Sequence, residues 1–100
     1  MKEFKFLVEI IEQVSDTPTV QEYLSLRAFV SSELLLMERA HDFAESSGTT
    51  LSRSEMAYLE LLRGVSRDLS STHDGGIAGA IFNAQSTARC DFHQWGLAKE

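Results

Sequence analysis

Apolar residues return every three or four positions along most of this chain, the repeat of α-helices with one buried face. Phe4, Leu7, Ile11 and Val14 form one such stripe and predict a first helix over 3–14. The run SDTP then interrupts the pattern; Pro18 suits a first helical position, where its missing N–H costs nothing, with Thr17 as the cap. A second helix is expected over 18–47, stopped by a left-handed Gly48. Its apolar residues cover two faces: Val20, Tyr23, Val30, Leu34 and Met37 on one, Leu26, Phe29, Leu36, Ala40 and Phe43 on the other. A helix apolar over so wide an arc is expected to lie centrally, with LLLM at 34–37 as its most buried turn.

The third helix has a clear start. Ser52 and Glu55 stand three apart, as a reciprocal capping box requires, and Leu51 and Met56 flank them at the spacing of a hydrophobic staple. Tyr58, Leu62, Val65 and Leu69 continue the stripe, and Gly64, which costs about 1 kcal/mol inside a helix, suggests a stop or bend. After a loop at 70–76, Ile77, Ile81, Ala84, Ala88, Phe92 and Trp95 mark a fourth helix over 77–95. Phe92 and Trp95 are expected in the core, and the small residues Gly76, Ala78, Gly79 and Ala80 would let another backbone come close. No stretch alternates strictly between apolar and polar. The expected fold is therefore all-α, a compact four-helix single domain over 1–100 with a long central second helix.

Composition narrows the function classes. A 100-residue chain that is 43% hydrophobic can bury a core without metal or disulfide staples. It has no apolar run long enough to span a membrane. MKEFKFLVEIIEQ is broken by Glu9 and Glu12, so no signal peptide is expected, and the single Cys90 fits a reducing cytoplasm. The net charge is −6, with nine acids against four bases in residues 1–50 and six against five in 51–100. Phosphate binding needs the opposite sign.

Residues 51–66, LSRSEMAYLELLRGVS, resemble the first helix of LuxR-type helix-turn-helix domains, where a similar start leads to a leucine-rich helix ending near a glycine. The resemblance covers sixteen residues. It implies a DNA-binding regulator built on helices at 52–69 and 77–95, with Arg53, Arg63 and Arg67 near phosphates and Asn83 and Gln85 toward bases. The chain then departs from the pattern. RDLSSTHDGG replaces a short turn, and residues 77–95 carry one base, Arg89. No direct nucleic-acid binding is expected.

Other chemistry is thin. Glu38 and His41 form one Glu-x-x-His, half of what a di-iron bundle needs, and neither His73 nor His93 has a Glu three positions earlier. His41 is expected half-exposed against Glu45. Cys90 lies between Arg89 and Asp91, without a protease or redox signature. DGGIAGA lacks the Lys-Ser/Thr of a phosphate loop. No catalytic residue, cofactor or metal site is expected.

What remains is an acidic ridge. Glu38, Asp42 and Glu45 fall on one helical stripe, and like charges four apart are mutually unfavourable. They point to a protein partner with a basic surface. The expected function is a small non-enzymatic interaction protein that masks such a surface, one that otherwise binds nucleic acid among the candidates. Phage anti-defence proteins such as anti-CRISPRs, and toxin-immunity proteins, are similar in size and charge only. The alternatives are the DNA-binding regulator and a homodimeric adaptor joined through the fourth helix.

Overall fold

The computed structural model describes residues 2–14, 17–71 and 75–94, the last three without their side chains. Four helices account for most of them: α1 Lys2–Gln13, α2 Val20–Ser46, α3 Arg53–Ser70 and α4 Gly76–Gln94, with no strand among the described residues. The fold is all-α, with a long second helix. At about 1.5 Å per residue, α2 accounts for most of the 44 Å long axis.

Each boundary has a local cause. α2 starts two residues later than the sequence suggests. Thr19, not Thr17, is the N-cap: its hydroxyl accepts from the Glu22 N–H at 3.1 Å while Glu22 accepts from the Thr19 N–H at 3.1 Å. A reciprocal box satisfies two otherwise unpaired N–H groups, which a lone Thr17 with Pro18 inside the helix would not. At the other end Gly48 takes φ +76°, and Thr49 and Gly48 donate to the Ala44 and Glu45 carbonyls at 2.8 and 3.1 Å. This is a Schellman stop, as the glycine implied. α3 opens on the expected Ser52–Glu55 box. The hydrogen bonds from Ser52 hold the Glu55 carboxyl below its usual pKa.

The enclosed helix is α3. Ala57, Tyr58, Leu59, Leu61, Leu62, Val65 and Leu69 are all buried, a wider arc than the expected stripe. It packs most broadly on α4 and α2 and also meets α1. Gly64 does not stop it: the helix runs on to Ser70. A Cβ at Gly64 would lie 2.9 Å from the Thr87 methyl, so the glycine makes room for α4. Ala80, Ile81, Ala84 and Ala88 supply the buried face of α4. Phe92 and Trp95, expected to extend it, lie outside the described side chains.

α2 is buried on one side only. Tyr23, Leu26, Val30 and Ala44 are buried, and Phe29, Leu34 and Met37 are partly so. LLLM is not its most buried turn: Leu35 and Leu36 are 53% and 60% exposed. The reason is that α2 meets the bundle mainly through α3, while α4 touches it slightly. α1 buries Phe4, Leu7, Val8 and Ile11. Its C-terminal end is closed by α4, where the Gln85 amide donates to the Ile11 and Val14 carbonyls at 3.1 and 3.2 Å.

Candidate interaction surface

The three carboxylates of the expected ridge do not share one environment. Glu38 turns toward α3 and accepts from Arg63 at 2.6 Å; the same guanidinium reaches Glu60 at 3.1 Å. These contacts raise the Arg63 pKa, with the hydrogen bond to Glu38 as the largest cause. Glu38 is thus paired with α3 at a half-exposed site. Asp42 and Glu45 remain exposed, on either side of His41. The His41 Nε2 lies 3.3 Å from Glu45 and its Nδ1 lies 3.9 Å from Asp42, with the imidazole 23% exposed. The His41–Glu45 contact is the one expected from their spacing. One ligand atom from each of His41, Asp42 and Glu45 lies within 4.8 Å of the others, but both carboxylates are exposed, and such acidic groups are common without a metal ion.

Of the residues that the helix-turn-helix resemblance turns toward DNA, Arg53, Arg67 and Asn83 are exposed, while Arg63 and Gln85 are engaged within the bundle. Arg63 is held by Glu38 and Glu60. Gln85 closes α1, and Arg89 pairs with Glu12 at 3.1 Å. α3 and α4 are paired antiparallel: Gly64 meets Thr87, Asp68 accepts from the Thr87 hydroxyl, and Glu60 lies beside Asp91. A recognition pair crosses at a steep angle instead.

Two hollows flank α3. One, of about 330 Å³, is lined by His41, Ala44, Glu45 and Thr49 to Leu51, with Met56 opposite. Leu51 and Met56, the pair spaced for a staple, both line it. The other, of about 600 Å³, runs along α3 and α4 between Glu60, Arg63, Arg67 and Asp91. Burial raises the Asp91 pKa, Glu60 and Asp68 add to this, and Arg67 opposes it. The groove holds charges of both signs, and the Thr87 hydroxyl in its lining donates to Asp68. Cys90 is exposed on α4.

The outstanding surface is the outer face of α2. Leu24, Ala28, Ser32, Leu35, Arg39 and Phe43 follow one another at steps of four, four, three, four and four, all exposed. Leu24, Leu35, Leu36 and Phe43 are 49, 53, 60 and 75% exposed. At roughly 200 Å² per large side chain they leave on the order of 500 Å² of apolar surface in total, interrupted by Ser32 and Arg39. Beside them, Phe6 of α1, 56% exposed, meets Phe29 edge-on with ring centres 6.4 Å apart. The sequence shows this excess of apolar residues on α2; burial was its expected explanation, and the explanation fails for the outer half.

Compared with family models, with curated proteins and with solved structures, the chain matches none.

Proposed function

We propose that the chain is a non-enzymatic interaction protein whose contact element is the outer face of α2. One observation carries this: a helix of 27 residues keeps an apolar strip in solvent along most of its length. Such a strip costs solubility and adds nothing to the core, so it is best explained by a partner that covers it. Asp42 and Glu45 border the strip, and the chain carries −6 overall, which suits a partner surface that is apolar at its centre and basic at its rim.

Retention of partners from the native lysate tests the reading, using the immobilised full chain with and without nuclease. A partner that survives nuclease and is lost with Phe43→Asp is expected. A partner lost to nuclease and indifferent to Phe43→Asp would favour the helix-turn-helix alternative.

A further inference from the structure

We propose that the occupant of the α2 face is a second copy of this chain, laid antiparallel along it. This rests on the reading of α2 as the contact element and names its partner. The strip is self-complementary in one register. Place a two-fold axis between Leu35 and Leu36. Leu35 of one copy then meets Leu36 of the other, Ala28 receives Phe43, and Ser32 faces Arg39, so large residues oppose small ones along the seam.

The charges agree with the same register. In an antiparallel pair each flank of one helix lies beside the same flank of the other. Arg27, Asp42 and Glu45 share a flank of α2. Arg27 of each copy therefore comes within a turn of Asp42 and Glu45 of the other, twice over by symmetry. Among the described residues, Arg27 has no ion pair to forfeit within its own chain. The basic rim that Asp42 and Glu45 require is thus carried by the chain itself. Phe43 also reaches toward Phe29 and Phe6 of the other copy, extending the apolar centre onto α1.

The area is sufficient. Two such patches bury about 1,000 Å² of apolar surface, and the flanking Arg27, Ser31, Ser32, Arg39 and Asp42 bring the total into the roughly 1,200–2,000 Å² of stable interfaces.

Sedimentation equilibrium of the full chain tests this. The wild type is expected at twice the chain mass at tens of micromolar protein. Leu35→Glu places two carboxylates at the axis and should weaken association at least about 100-fold, because like charges meet in the interface. Leu35 is already exposed, so helical content should not change. The register is tested by charge exchange. Arg27→Glu alone and the double change Asp42→Arg with Glu45→Arg should each weaken self-association, and mixing the two proteins should restore it. In a Cys90→Ser background, Leu35→Cys should cross-link between copies on oxidation and Leu24→Cys should not.

A wild type that stays monomeric throughout overturns the dimer. So does charge exchange without recovery, or cross-linking through Leu24→Cys in preference to Leu35→Cys. If the wild type is monomeric and Phe43→Asp still abolishes capture of a different protein, only the second copy is refuted. If neither self-association nor capture responds to changes on this face, the reading of α2 falls as well.

Discussion

Gly64 shows how one residue serves two helices. Alanine there would favour α3 by about 1 kcal/mol on propensity alone. Its Cβ would sit 2.9 Å from the Thr87 methyl, and Thr87 is held by its hydrogen bond to Asp68. Overpacking of this kind costs about 1–3 kcal/mol, so Gly64→Ala is expected to destabilise by about 1 kcal/mol net. Chemical denaturation checks it. Thr87→Ser removes the methyl and keeps the hydroxyl, so the double variant should recover the loss. Absence of recovery would mean that another contact, not Thr87, requires the glycine. Tyr58 makes a second residue-level case. It is almost fully buried, and its pKa is pushed up to about 12, by burial first and then by the nearby charges of Glu33 and Glu3 and a hydrogen bond to Glu33. The unfolded phenol ionises near its ordinary value of about 10. The folded state therefore keeps a proton that the unfolded state loses. The stabilisation is fully present below about pH 10 and is lost as pH rises through about 12. The stability of the wild type should fall more steeply over that window than that of Tyr58→Phe, measured by denaturant midpoints at each pH. Parallel slopes would show that Tyr58 is not held neutral.

Among the elements, α2 departs most from a reading by periodicity. Its two apolar faces are real, but only one meets the bundle. Glu38, Asp42 and Glu45 look equivalent in sequence because four-residue spacing places them on one stripe. The equivalence is broken by Arg63, which arrives from α3 and takes Glu38 alone. Removal of like charges from the ridge would by itself leave stability level or slightly higher. With the pair formed, Glu38→Gln is expected to cost about 0.5–1 kcal/mol, the range for a half-exposed ion pair, and less in high salt. Asp42→Gln, on the solvent side, should change little. Thermal melts at low and high salt separate the two, and equal effects would show that the Arg63 contact contributes nothing. The capping boxes of α2 and α3 are different in kind. Ser52 with Glu55, and Thr19 with Glu22, act within four residues, so their chemistry is readable from the chain. The first was expected. The second was obscured by Pro18, whose preference for a first helical position favoured Thr17.

At the scale of the whole molecule, burial is uneven. α3 is enclosed by α2, α4 and α1, whereas the second half of α2 contributes only Ala44 to the buried set. Amide hydrogen exchange should be slowest in α3 around Leu61 to Val65, and in dilute protein clearly faster over Leu35–Phe43. If α2 pairs with a second copy, protection over Leu35–Phe43 should rise with protein concentration, while that of α3 stays level. Exchange over Leu35–Phe43 as slow as in α3 at every concentration would contradict the one-sided packing of α2.

The chain by itself determined the number of helices, nearly all their limits and most of the core. Those depend on period, caps and glycine stops, all of which act over a few neighbouring residues. Phe4, Leu7, Ile11, Tyr58, Leu62, Val65, Ile81, Ala84 and Ala88 were legible as buried for that reason. Tertiary structure alone decided which helix is enclosed and which apolar face is left over. Periodicity shows that a helix has an apolar side and is silent on how many neighbours will cover it. It assigned the centre to α2, whose wide apolar arc matched, and passed over Ala57, Leu59 and Leu61, which widen the buried arc of α3. It likewise read Gln85 as a base reader and Glu38 as a docking charge. Their partners, the Ile11 and Val14 carbonyls and Arg63, lie 74, 71 and 25 residues away and meet them only once the helices pack.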